Sequence, residues 1–583
     1  MTGDDKRYTG GELLAKTLAA AGVKRIFALH GGHLDAFFKG CIDENIELID
    51  TRHEAAAGHA ADAYARTTGD LGVCAITAGP GFTNALTAMA NAFLDNSPVL
   101  FIIGAAPLRE IETNPLQGGI DQIAAARPLT KWALSIPVTE RIPDLAAMAV
   151  RKAQTGRRGP VALEIPIDVL HGSVHASQAT APTGLGPFAH PAPSQSEAAR
   201  LAALIRESRR PVIIAGMEAA SLRTGEALKR FAGAANIPVF AKAQAMGLLG
   251  LESPLDGGSA GNLAILPMIG VERPDLVILL GARMGLHLGG RSGAILPEGA
   301  RVVQINSDAG EIGRLRDVDL SLASGCAEAL DAVLAAAVQE GLGGGLGDFS
   351  AWAARATAAK TLFSRAYPDT ETPEGIHPHH AAEAVARVVG PEAIWSLDGG
   401  EAASWMGGCA RVSGPGRMLT HGYLGCLGIG LGFAIGAQVA HPERRVIHVT
   451  GDGAMGFHIQ ELDTLARRNL PVVTVVINNQ VWGMSIHGQQ IMYGQNYNVI
   501  TRIPGTRYAD IASAFGCHGE RVTAYQEIEP AMRRALASGR PALVEIMTDA
   551  DIIHPVTLSM LGKSADDSKD VVIPYYENLK SEG

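Results

Sequence analysis

Charge is scarce in this chain. Only 19% of its 583 residues are Asp, Glu, Lys or Arg, against the ~25% usual for soluble domains. No lysine–arginine block or basic stripe stands out, and 49 basic against 59 acidic residues leave a net charge of −10. The electrostatic footprint of a nucleic-acid binder is therefore missing, and no nucleic-acid partner is expected. Long apolar runs are missing as well. The longest, such as 99–103 and 471–477, have the length of a strand, far short of the roughly 18 residues that suggest a membrane helix. Met1–Tyr8 is polar and lacks the apolar stretch of a secretory signal. The six cysteines (Cys41, Cys74, Cys326, Cys409, Cys426, Cys517) never form a C-x-x-C pair. That pattern predicts reduced thiols in the cytoplasm, with no zinc site and no disulfide frame.

What is abundant is apolar and small. Hydrophobic residues reach 47%, Gly 69 and Pro 31, without a G-X-Y period, so collagen is excluded. Extensive burial and close approach of backbone to a ligand would account for both excesses. At about 100–200 residues per domain the length suggests three or four domains, or three large ones. Turn-rich stretches at 172–196, 341–349 and 367–378 divide the chain into 1–180, 190–355 and 370–560, followed by a polar tail, 561–583. Each segment alternates short β-branched runs with helical patterns, which predicts an α/β fold of three doubly wound parallel-sheet domains. The middle segment shows buried-strand runs at 211–216, 237–242, 276–283 and 301–308. The first and third share a plan of helix, short loop with Pro, and buried strand, which leaves a duplication open.

The chemistry concentrates at strand ends. A predicted strand, 446–450, runs into Gly451-Asp452-Gly453-Ala454-Met455-Gly456, which is expected to open a helix through 457–468. The spacing matches a dinucleotide fingerprint, but Asp452 would face a pyrophosphate at close range, and the next strand ends in Asn478-Asn479 rather than an acid. Asp452 and Asn479 instead converge at the carboxyl edge of a predicted parallel sheet. They offer the hard oxygen ligands that Mg²⁺ prefers, and the glycines let backbone approach a phosphate. In the first segment, strand 46–50 leads into Thr51-Arg52-His53-Glu54 and a small-residue helix. Upstream, His30-Gly31-Gly32-His33 forms a loop after strand 25–28. His33 is the proton-transfer candidate, and His30 is read as a packing or capping residue.

The stretch from Gly451 to Ser485, GDGAMGFHIQELDTLARRNLPVVTVVINNQVWGMS, resembles the cofactor motif of thiamine diphosphate enzymes, and the likeness extends over nearly the whole chain. It implies pyrimidine-binding, central Rossmann-like and diphosphate-binding domains. It also implies thiamine diphosphate as cofactor, with Mg²⁺ held by Asp452, Asn479 and the main-chain carbonyl of Val481. Glu54 matches the family carboxyl group that hydrogen-bonds the aminopyrimidine ring and favours the tautomer able to take the C2 proton. Gly79 matches the pyrimidine side. Gly399, Gly400, Gly451, Gly453, Ala454, Trp482, Gly483 and Met484 match the diphosphate side, and Leu427 the apolar wedge that bends the cofactor. Within the family, LHGGHLDAFF, DTRHEAAAGHAADAYAR and ETNPLQGGIDQ are closely similar to benzaldehyde lyase, which carries over proton-transfer roles to His33 and Gln117. Two positions depart from it: Ala403 stands where it has a pocket Tyr, and bulky Met484, as in acetolactate synthase, where it has a small residue.

The expected activity is therefore a lyase or carboligase acting on 2-hydroxyketones and aldehydes. The alternative is an acetolactate-synthase-like carboligase that decarboxylates a 2-oxoacid. A 2-hydroxyacyl-CoA lyase, a dinucleotide-dependent oxidoreductase and a non-catalytic assembly subunit are the remaining readings. The resemblance further implies a homodimer or homotetramer with active sites at subunit interfaces, and it leaves open whether the central domain holds FAD or a nucleotide.

Overall fold

The computed structural model describes residues 6–560 apart from 114–115, 179–181, 183–184, 187, 291, 340–344 and 362–366. Three parallel six-stranded sheets with flanking helices form the framework, as the alternating runs predict. The polar tail, 561–583, and most of the glycine run in 341–349 lie outside the described residues.

The first sheet runs, edge to edge, Glu47–Asp50, Arg25–Ala28, Gly72–Ile76, Val99–Ala105, Val161–Pro166, Trp132–Ser135. Numbered in chain order within the sheet, that is 2-1-3-4-6-5. The third runs Met418–Thr420, Ile394–Leu397, Val446–Gly451, Val473–Asn478, Ala542–Met547, His518–Val522, which is 2-1-3-4-6-5 again. This identity supplies what local sequence resemblance left open: the two sheets are built as copies of one plan. The central sheet runs Asp256–Ser259, Val239–Ala241, Pro211–Ala215, Leu276–Leu280, Arg301–Asn306, Leu320–Ala323, the 3-2-1-4-5-6 order of dinucleotide-binding sheets. Two of its strands, Asp256–Ser259 and Leu320–Ala323, lack a continuous apolar run, and sequence reading passed over them. The linker reading of 172–196 also needs correction. Ser173–His175 pairs antiparallel with Arg7–Thr9, and Ser194 caps the helix Gln195–Glu207 through a reciprocal box with Glu197.

By packing, the chain forms two compact units. One comprises the described parts of Met1–Ala189, His421–Glu443 and Phe457–Val472; the other, those of His190–Thr420, Arg444–Gly456 and Val473–Gly583. In the first unit the small-residue helix is Glu54–Thr68, capped by His53, whose Nδ1 accepts from the Ala55 amide at 3.1 Å. Its alanines permit a close neighbour, the helix Gly430–Ala440. A Cβ at Gly436 would lie 2.1 Å from the Ala60 carbonyl oxygen, so only glycine fits that crossing.

Candidate active site

In the first unit the predicted residues gather around two turns. Glu54 opens its helix, buried, and its Oε2 accepts from Asn84 Nδ2 at 2.9 Å. Asn84 belongs to the helix Pro80–Leu94, which starts beyond Gly79. Gly79 has φ +62°, a conformation side chains disfavour. A Cβ there would also lie 3.0 Å from the Gln117 Cα, so the backbone of Gln117 lines this turn. The Gly79 amide donates to Gln122 Oε1 at 2.8 Å, while Gln122 Nε2 donates to the Gly104 carbonyl and to Glu164. Sequence reading singled out Gln117 from its stretch, yet Gln122, five residues on, ties the turn to the sheet. Burial lowers the His33 pKa, favouring the neutral ring, and its Nδ1 meets Thr77 Oγ1 at 3.1 Å. His30 is exposed, pairs with Asp35 at 3.0 Å and lies with its ring centroid 6.0 Å from that of Phe38, so it packs at the surface and caps no helix. Leu427 is half-buried in this unit, just before Gly428.

One expectation fails here. The helix expected to continue from the GDG turn stops after Asp452–Met455 and resumes only at Glu461–Arg467. The break is held by His458, whose Nδ1 donates to the Gly428 carbonyl at 2.7 Å. The long helix that a dinucleotide fingerprint requires is thus interrupted.

In the second unit Val446–Gly451 and Val473–Asn478 are adjacent and parallel, so Asp452 and Asn479 do share a carboxyl edge. Asp452 is 3% exposed, and its Oδ2 is buried without a hydrogen-bond partner. Burial pushes its pKa up to about 7. An orphaned, desolvated carboxylate oxygen is costly unless a cation meets it, so this position fits a divalent metal. Asn479 Oδ1 accepts from the Val481 amide at 3.3 Å, bending the chain into Trp482. A Cβ at Gly453 would penetrate the Trp482 ring at 2.6 Å, which makes Gly453 obligatory beside it. Gly400 packs on Met484, with Cβ–Cβ separation 3.3 Å for an added methyl, and the buried Ala403 follows on the same helix. Ala454 is buried; Gly399, Gly451 and Gly483 complete the turns.

Several supporting residues were invisible in the sequence. Tyr508 OH donates to the Asp452 carbonyl at 2.7 Å. Glu545, fully buried, accepts from Asn478 Nδ2 at 2.7 Å and from the Ala509 amide. Glu401, one residue past Gly400, forms a buried pair with His487 Nδ1 at 2.9 Å and also accepts from Thr557 Oγ1. Burial opposes charge on His487, but Glu401 holds its pKa above the ordinary value.

Sheet edges carrying glycine turns and buried carboxylates are the architecture of a cofactor-dependent α/β enzyme. Family models for the thiamine pyrophosphate enzymes match three stretches: the N-terminal TPP binding domain over 8–125, the central domain over 198–333 and the C-terminal TPP binding domain over 398–546. The chain belongs to this family and is a thiamine diphosphate-dependent enzyme. It is 34% identical to a probable acetolactate synthase of Mycobacterium bovis, covering 94% of this chain and 96% of that one. It is 32% identical to a probable acetolactate synthase large subunit of Methanocaldococcus jannaschii, over 93% and 92% of the two chains. It is 31% identical to 2-hydroxyacyl-CoA lyase 2 of Bos taurus, over 92% and 90%. These relatives favour the decarboxylating alternative over the benzaldehyde lyase expectation. Among the described residues no helix is long and apolar enough to cross a membrane.

Proposed function

We propose that the protein is a carboligase with a 2-oxoacid such as pyruvate as donor, similar to acetolactate synthase. The carrying observation is the 34% identity over nearly full length to a relative of that name. Met484, packed over Gly400 beside the GDG turn, agrees with it by narrowing the space open to an aromatic aldehyde. Thiamine diphosphate supplies a carbon nucleophile when bound. The residues suited to Mg²⁺ are Asp452, through its unpartnered Oδ2, Asn479 and the Val481 carbonyl. Glu54, steadied by Asn84, is placed to hydrogen-bond the aminopyrimidine. His33, its Nδ1 engaged by Thr77, would exchange a proton with the substrate oxygen through Nε2. Gln117, at the Gly79 turn, would orient that oxygen.

A C–C lyase acting on a 2-hydroxyacyl thioester is the second reading, favoured by the likeness to 2-hydroxyacyl-CoA lyase 2. Assembly as a homodimer or homotetramer and a cytoplasmic location belong to the proposal as family-like features, with FAD in the central domain an open alternative. Sedimentation and flavin absorbance of the purified protein test the first and last.

The deciding experiment incubates the protein with thiamine diphosphate and Mg²⁺ and, separately, pyruvate, a benzoin or a 2-hydroxyacyl-CoA. Release of CO₂ with acetolactate or acetoin is expected. Aldehyde without CO₂ from the benzoin, or aldehyde with formyl-CoA from the thioester, in the absence of pyruvate turnover overturns the carboligase. Full activity in Glu54→Gln overturns the role given to Glu54.

A further inference from the structure

The central sheet has the strand order of a dinucleotide-binding domain. In such sheets the ligand lies in the crevice where the order reverses, between the first and fourth strands. Here those strands are Pro211–Ala215 and Leu276–Leu280. The turn after the first strand decides whether a pyrophosphate can enter.

That turn reads Gly216-Met217-Glu218-Ala219-Ala220-Ser221. Of the three glycines in G-x-G-x-x-G only the first is kept. Glu218 stands at the second, where backbone has to approach the pyrophosphate. Its Oε2 accepts from the Ser307 amide at 3.0 Å, just past the strand Arg301–Asn306. A carboxylate therefore reaches across the carboxyl edge, past the end of Leu276–Leu280, which lies between the two strands.

Backbone fills the crevice as well. A Cβ at Gly216 would lie 2.3 Å from the Ala282 Cα, and one at Gly281, where φ is +59°, 2.8 Å from the Ala219 nitrogen. The two turns thus touch across the switch point. The amides that could hold a phosphate are also engaged. Glu218 donates to the Gly281 carbonyl at 3.3 Å, Ala219 to Gly216, Ala220 to Met217 and Ser221 to Ala219. In the first turn of the following helix, Leu222–Ala235, the Thr224 amide donates to Ser221 Oγ and the Gly225 amide to the Ser221 carbonyl. Such folds place an acid for the ribose after the second strand, here Val239–Ala241. Lys242 stands there instead, and its Nζ donates to the His287 carbonyl at 2.7 Å.

We propose that the Glu218 turn closes the central domain to FAD and to other dinucleotides, so that the enzyme works without a flavin. The chain supplies its own anion at the edge, which accepts the Ser307 amide and repels a phosphate. The closure holds whichever donor substrate the enzyme takes.

The test dialyses the full chain, with thiamine diphosphate and Mg²⁺ present, against FAD and separately NADP⁺. No saturable uptake is expected below about 1 mM, and protein expressed with riboflavin supplied should carry no flavin absorbance. Hydrogen exchange reads the cause: in Glu218→Ala the Ser307 amide should exchange about tenfold faster than in the wild type. Stoichiometric flavin in the purified protein, or saturable uptake of either dinucleotide, overturns the closure even if the variant fails to fold. An unchanged Ser307 rate in the variant overturns the role of Glu218.

Discussion

The Tyr508 phenol donates to the main-chain carbonyl of Asp452, the residue whose own carboxylate oxygen is buried and partnerless. The side chain suited to a metal is thus aimed by a bond made elsewhere on the same residue. Tyr508→Phe leaves that carbonyl unsatisfied, at a cost of about 1–3 kcal/mol. The half-maximal Mg²⁺ concentration, read from thermal shift in the presence of thiamine diphosphate, should rise about tenfold. An unchanged Mg²⁺ titration would mean that this anchor does not aim the carboxylate.

Asp452 itself should act in opposite directions with and without ligands. Its folded pKa, raised to about 7, lies above the ordinary carboxylate value. In metal-free protein the ionised group therefore costs stability above that pH, and the cost fades as pH falls through 7 toward 4. Asp452→Asn should raise the melting temperature of the ligand-free protein at pH 8. It should also abolish the rise that thiamine diphosphate and Mg²⁺ give the wild type. Scanning fluorimetry at both ligand conditions reads both signs.

Glu401 and His487 are nearly fully buried together. Removing the imidazole strands a carboxylate, and His487→Ala is expected to cost roughly 3–5 kcal/mol in a denaturant titration. Because Glu401 raises the His487 pKa, the pair contributes fully below the ordinary histidine value and fades as pH climbs through the raised one. His487→Gln, which can still donate to Glu401, should lose less and show a flatter pH profile.

Glu461 is fully buried, accepts from the Arg52 amide and Thr464 hydroxyl, and is pushed up to about 7 by burial. Like Asp452 it favours the protonated form, so wild-type stability should fall as pH rises from 4 to 7. Glu461→Gln keeps an acceptor for Arg52 and should be more stable at pH 8, by on the order of 3 kcal/mol at most. Equal pH slopes in wild type and variant would contradict this.

The parts of the molecule that announced themselves did so through local pattern. Asp452 and Asn479 were legible because two apolar runs fix parallel strands and each residue follows one directly. Glu54 was legible only through the family resemblance, because a Glu in the first turn of a helix is ordinarily a surface residue favoured by the helix dipole. Gln122, Asn84, Tyr508 and Glu545 act across tens of residues, and nothing beside them in the chain marks their partners. The helix break after Met455 was hidden for the same reason, since Gly428, which holds His458, lies 30 residues away. Choosing between donor substrates drew on one local feature, Met484, and on likeness to whole proteins.

The shared 2-1-3-4-6-5 order has a consequence for how such a protein can change. In both sheets the third strand ends in a glycine-bearing turn, Gly79-Pro80-Gly81 in one and Gly451-Asp452-Gly453 in the other. A symmetric ancestor built from one gene would have had to make a single turn serve a heterocycle and an anion at once. Under the proposed cofactor placement, two copies in one chain divide that labour. One turn carries an acid, Asp452, while the other carries Pro80 and lies beside the carboxylate of Glu54. Substitutions that retune the substrate end can then accumulate in the first copy without disturbing the charge balance of the second.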